Sequence, residues 1–301
     1  MPKSIRHKIE YLFVCLLVGV LRMIPMRLGI SLGRLLGIIH YWASPKHRHE
    51  TISHLQMALG KEKSDIELKR IAYESYKGQG VSLVEAIYSL QMESSRLMEW
   101  ISVEGFSHYV EAKKEGKGVI ILTAHLGNWE MIPKVFFAHH SPICGTVRPL
   151  DNPYLNRLSQ NWREKNGMIV LNKFSDAPRL LKLFREGETV GFLLDQNTHE
   201  EDSVFVDFFG QEAATNKGVA ILALRSGAPV IPVFMKREGK KHRMIIDPPV
   251  SIVRTKSHRD DILNITALFT KIIENHIREA PEQWLWIHRR WKTKRTKKVD
   301  A

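Results

Sequence analysis

The stretch "VIILTAHLGNWEMIP" (residues 119–133) decides the fold class. Val119–Thr123 is apolar without alternation and rich in β-branched residues, which suits a strand covered on both faces. The run stops at His125, and a helical pattern follows over 127–138. Three further runs have the same character: "TVGFLLDQN" (189–197), "PVIPVFM" (229–235) and "HRMIIDPPVSI" (242–252). Helical patterns at 127–138, 151–166, 176–186 and 215–226 separate them. This alternation predicts an α/β fold, with a mixed, largely parallel central sheet flanked by helices.

The same stretch pairs His125 with Glu130. With 14 histidines and 32 acidic residues in 301, chance alone supplies one or two histidines with an acid five positions on. The chain has two, His125/Glu130 and His242/Asp247. The second lies in a strand-like run, where residues five apart point to opposite faces, so it reads as an exposed strand start. The first lies at the carboxyl end of a predicted strand, where open α/β sheets gather ligands. A strand-to-helix turn there can fold His125 over the first helical turn, with Glu130 taking one imidazole nitrogen and leaving the other as a base. The alternative is a polar loop with a carboxylate at a helix start, itself a stabilising arrangement. No G-x-S-x-G elbow, phosphate-binding P-loop or H-E-x-x-H zinc spacing accompanies the pair.

A net charge of +13 favours an anionic partner: nucleic acid, an anionic membrane or an acidic carrier protein. Cys15 and Cys144 are far apart, so neither a disulfide framework nor a cysteine zinc site is expected.

The N-terminus is basic at Lys3, Arg6 and Lys8, then uncharged from Tyr11 to Leu21. That run is short for a span, which needs about 20 apolar residues. Pro25 marks a turn. Gly29, Gly33 and Gly37 recur in the next segment at the spacing that lets helices approach closely. Residues 1–44 are expected to be membrane-associating helices, either a pair dipping into one leaflet or one tilted span; an ordinary buried hairpin is the alternative. Residues 45–115 form a helical lead-in, with Gly78 and Gly80 expected to interrupt its long helix. Residues 116–292 form the α/β core, and 293–301 a basic tail.

Beyond the pair, "TAHLGNWE" resembles the H-x-x-x-x-[DE] block of the lysophospholipid acyltransferase superfamily, and more narrowly the bacterial lipid A secondary acyltransferases. The likeness continues in order through "VRPLDNPYLNRLSQNWREKNG", "REGETVGFLLDQN", "VDFFGQEAATNKGVAILALRSGAPVIPVF" and "EQWLWIHRRWK", covering about residues 100–292. The resemblance implies that His125 is the general base for an acceptor hydroxyl, that Glu130 orients it, and that the hydroxyl attacks an acyl thioester directly. It implies that Arg148 binds an anionic acceptor or supports Glu130, and it marks Arg163 as a further substrate-binding arginine. Asp195 and Gln196 end the "GFLLDQ" strand, so they should reach the same sheet edge as His125 and contact substrate, with a helix cap the alternative for Asp195. Asn128 is a substrate contact or a helix cap, and Thr215 a substrate contact or the cap of a helix it begins. "FREGETV" contains an E-G-x-T lookalike of the phosphate-binding block of glycerolipid-making relatives, but it precedes the strand. The block after the strand reads "DQN", which favours a sugar-based lipid acceptor over a glycerolipid.

The resemblance further implies an acyl carrier protein thioester as donor, no metal or organic cofactor, an anionic membrane surface and a glycolipid acceptor. The implied location is the cytoplasmic face of the bacterial inner membrane. A nucleic-acid-binding protein reading through the basic tail would leave the apolar N-terminus and the ordered blocks unexplained. The tryptophans Trp284, Trp286 and Trp291 are expected in the core.

Overall fold

The computed structural model describes residues 2–172 and 176–296. The part of the predicted basic tail that holds Lys297 and Lys298 lies outside the described residues. A seven-stranded sheet is built from β1 (Ile101–Glu104), β2 (Val119–Thr123), β3 (Ile143–Val147), β4 (Met168–Asn172), β5 (Thr189–Leu193), β8 (Val230–Glu238) and β9 (Lys241–Ile246). Their order is β1-β9-β8-β2-β5-β3-β4. From β8 to β4 every pairing is parallel, while β9 runs antiparallel to β8 with β1 parallel to it. The sheet is therefore mixed and largely parallel, as the apolar runs predict. Central β2 is buried at all five residues, which is why its sequence does not alternate. Strand β9 stops at Ile246, short of the predicted run, because Pro248 and Pro249 have no N–H to donate.

A separate hairpin, β6 (Ser203–Phe208) with β7 (Gln211–Asn216), has no counterpart in the sequence reading. Thr215 is in β7 and does not begin a helix. The following helix, α10, covers Gly218–Ser226.

Four helices precede the sheet's first helix–strand units: α1 (Lys3–Met23), α2 (Met26–Ala43), α3 (Pro45–Leu59) and α4 (Asp65–Ser89). Helix α4 starts at a capping box, Ser64 with Glu67. It runs unbroken through Gly78 and Gly80, contrary to expectation. The reason is a helix–helix contact: a Cβ on Gly80 would lie 2.1 Å from the carbonyl oxygen of Gly33 in α2. Gly37 likewise sits so close to α4 that a Cβ would lie 2.3 Å from the Tyr76 oxygen. The small-residue face of α2 is thus buried against α4, and the N-terminal pair is part of the body of the fold.

Helix α1 leaves Ile5, Ile9, Leu12, Phe13, Leu16, Val20 and Met23 exposed at helical spacing. No helix among the described residues is long and apolar enough to cross a membrane.

The three C-terminal tryptophans are buried as expected. His242 is not an exposed strand start: it is 1% exposed, with its ring edge-on to Trp100 at 4.8 Å. Asp247, beyond the end of β9, pairs with His276 at 2.8 Å instead.

Candidate active site

Strands β2 and β5 are parallel neighbours, so the residues just past their carboxyl ends meet. His125 follows β2 by two positions and Asp195 follows β5 by two. The Leu194 N–H donates to the Thr123 carbonyl at 3.1 Å and extends the pairing to this point. Asp195 then accepts three hydrogen bonds. His125 Nδ1 lies 2.8 Å from Oδ1, and the His125 backbone N–H and Trp284 Nε1–H donate to Oδ2 at 3.0 and 2.8 Å.

Burial alone would push the Asp195 carboxyl up. The His125 charge and these hydrogen bonds outweigh it and hold the group down at about 2. An ionised carboxylate only accepts, so Nδ1 carries the hydrogen, and in the neutral imidazole the lone pair is on Nε2. Gln196 presents its amide nitrogen to that Nε2 at 3.2 Å. Burial by itself pushes the imidazole down. The charge and hydrogen bond of Asp195, joined by the Glu130 charge, carry it above its ordinary value.

Glu130 stands differently from the expectation. Both imidazole nitrogens are engaged by Asp195 and Gln196, and the Glu130 carboxylate instead receives Arg163 Nη2 at 2.7 Å and Nε at 3.3 Å. The cause is local. The anticipated helix start at Gly127 is a single 3-10 turn, Trp129–Met131, leading into the short α7 (Ile132–Ala138). That turn points Glu130 toward the last turn of α8 (Pro153–Lys165), which carries Arg163. Trp129 packs edge-on to His125 at 4.8 Å.

Asn128 stands at the N-cap position of the 3-10 turn and at the edge of a cavity beside the site, but its side chain makes no capping bond. Its side chain is 2% exposed, and its amide nitrogen donates to the Ser82 carbonyl and the Glu85 carboxylate of α4. Gly127 adopts φ +61°, and a Cβ there would meet the Met235 oxygen at 1.8 Å, so only glycine fits.

A cavity of about 290 Å³ adjoins the site. His125, Trp129 and Glu130 line one wall. Opposite, α4 contributes Ser75, Gly78, Gln79, Ser82, Leu83 and Ala86, a single helical face about 16 Å long at 1.5 Å per residue. The sequence profile of bacterial lipid A biosynthesis acyltransferases matches residues 2–293 of this chain.

The chain belongs to that family.

Among its relatives, the lipid A biosynthesis lauroyltransferase of Escherichia coli is 29% identical over 272 residues, covering 89% of this chain and 85% of that protein. The lipid A biosynthesis palmitoleoyltransferase of the same organism is 29% identical over 252 residues, covering 82% and 80%. The phosphatidylinositol mannoside acyltransferase of Mycolicibacterium smegmatis is 25% identical over 242 residues, covering 79% and 77%. The family is one of acyltransferases, and the α/β sheet predicted from the alternation of strands and helices is the sheet observed.

Two predicted substrate residues are not among those gathered around His125. Arg148, after β3, is exposed and has no hydrogen-bonding or ionic partner among the described residues. Thr215 is buried, and its hydroxyl accepts from the fully buried Arg290. Sequence reasoning missed Trp284 as a donor to Asp195, and missed Glu85 and Arg237. Trp284 carried a signal, its place in the C-terminal block. Glu85 carried none beyond being an acid on the apolar side of a helical pattern.

Proposed function

We propose that this protein transfers a fatty acyl group from an acyl carrier protein thioester to a hydroxyl of a lipid A precursor or related glycolipid, at a membrane surface. The observation that carries the reading is His125 at the cavity wall with Nδ1–H held by ionised Asp195, which leaves Nε2 as the basic nitrogen. On this reading the acceptor hydroxyl displaces Gln196 from Nε2. Its oxygen attacks the thioester carbonyl carbon while its proton passes to His125. The C–O bond forms, the tetrahedral intermediate collapses with cleavage of the C–S bond, and the imidazolium returns its proton to the departing thiolate. Asp195 steadies the imidazolium, and Glu130, clasped by Arg163, adds a second negative charge beside it. The cavity along α4 receives an acyl chain. The exposed apolar face of α1 and the charge of +13 support attachment to an anionic membrane. The mycobacterial relative makes a phosphorylated mannolipid the competing acceptor.

The test is to incubate purified protein with acyl carrier protein thioesters and lipid A precursors and follow the lipids by mass spectrometry. One added acyl group is expected from wild type and none from His125→Ala. Undiminished transfer by the folded His125→Ala variant would sink the mechanism. Transfer from acyl-coenzyme A alone would reject the carrier protein.

A further inference from the structure

The turn that carries His125 is also held by a largely buried polar cluster, bordering the cavity, that the acyl-transfer steps do not use. Glu85 of α4 is 3% exposed. Its carboxylate accepts from Arg237 Nε at 3.1 Å, Arg237 Nη2 at 2.6 Å and Asn128 Nδ2 at 3.1 Å. His242 Nε2 stands 3.2 Å away. One turn earlier, Ser82 Oγ donates to the Gly127 carbonyl at 3.2 Å and accepts from Arg237 Nη2 at 2.8 Å. The Ser82 carbonyl takes a second bond from Asn128 Nδ2. Gln283 closes the ring: its side chain bonds both the N–H and the carbonyl of Arg237, and its own carbonyl accepts from the Gly127 N–H at 3.0 Å.

Burying a carboxylate with a guanidinium is a poor way to gain stability, because desolvation offsets most of the attraction and an apolar filling does as well. What the cluster does supply is geometry. Four of these bonds end on Gly127 and Asn128, which lie between His125 and Glu130, and the others tie Arg237 to the residues that make them. We propose that Glu85 is a positioning residue for acyl transfer, fixing the 125–130 turn through Asn128 and Arg237. This rests on His125 acting as the base, and a small misplacement of a reacting group costs a rate factor on the order of 100.

The experiment uses full-length Glu85→Gln, which keeps the shape and removes the charge. It is assayed with acyl carrier protein thioester and lipid A precursor at a temperature where its melting curve shows it fully folded. We expect kcat to fall about 100-fold while KM for both substrates stays within about twofold, since Glu85 itself does not line the cavity. Glu85→Gln/Asn128→Ala should fall by less than the product of the two single losses, because the two residues share the Glu85–Asn128 bond. Glu85→Asp keeps the charge opposite Arg237 and only shortens its reach, at a residue that does not line the cavity; it should give the same kcat-only pattern, with a loss of about tenfold, and decides the matter if Glu85→Gln does not fold. An unchanged kcat in the folded variants, a loss confined to KM, or additive losses in the double variant would overturn the proposal. Wild type without transfer activity would overturn the acyltransferase reading, and this inference with it.

Discussion

On the proposed mechanism His125 acts as a base only while neutral, and its surroundings raise its proton affinity above the ordinary value. The rate should therefore fall as pH drops through a value above that of a free histidine, about 6.5. In Asp195→Asn the main raising influence is gone, so the acid limb should move to lower pH. The rate at the optimum should drop by about four orders of magnitude, because an amide no longer fixes the tautomer. A pH profile of kcat/KM for the two proteins checks both. For stability the sign for Asp195 is the depressed-carboxylate one: its contribution is present above about pH 4 and lost as pH falls through about 2. At Gly127 the conformation alone costs an alanine about 1–2 kcal/mol, and the contact with the Met235 oxygen adds to it. Gly127→Ala should melt at a lower temperature and lose activity. His125 was legible in the sequence because its strand is short, apolar and abruptly ended. Asp195 was legible only as a residue at the same sheet edge, not as the partner of His125, since it lies 70 positions away and strand pairing sets the contact.

Helix α4 is the element on which the site depends. One face meets the glycines of α2, and another lines the cavity and holds the 125–130 turn. Gly33→Leu should wedge α2 from α4, since even a Cβ would lie 2.6 Å from the Gly80 oxygen. A loss of stability of about 1–3 kcal/mol, with lower activity, is expected in thermal melts and assays. Gly19→Ala is the control, because its Cβ meets nothing within 4 Å. Gly78 differs from both: a Cβ there makes ordinary contacts at 3.7 and 3.9 Å. Gly78→Ala should stabilise the helix by up to about 1 kcal/mol. Gly78→Leu should fill part of the cavity and shift transfer toward shorter acyl chains, read by competition between thioesters. An unchanged preference would remove the acyl chain from that cavity. Sequence periodicity found α4 but misjudged its glycines as breaks, because the neighbour that makes glycine necessary belongs to another helix.

At the scale of the molecule, α1 combines two surfaces. Its buried side braces α8: Asn152, the N-cap of α8, donates to the His7 carbonyl and the Glu10 carboxylate of α1 at 2.9 Å each. Its exposed apolar side faces outward, beside exposed Arg22 and Arg27. Phe13→Asp/Leu16→Asp should leave the fold intact, because both side chains are exposed, and should abolish sedimentation with anionic vesicles. Wild-type binding to those vesicles should weaken as salt rises. Deleting residues 1–43 is a harsher change, since it also removes the braces of α4 and α8. The deletion should release the protein from membranes and lower its melting temperature together.

The sequence by itself determined the alternation of buried strands and helices, the small-residue face of α2 and the histidine at a strand end, since each follows from the local order of side chains. The tertiary structure alone decided which carboxylate holds His125, which arginine holds Glu130 and why α4 carries glycine. These are contacts between residues tens of positions apart, created by parallel strand pairing and helix packing. No spacing along the chain encodes them.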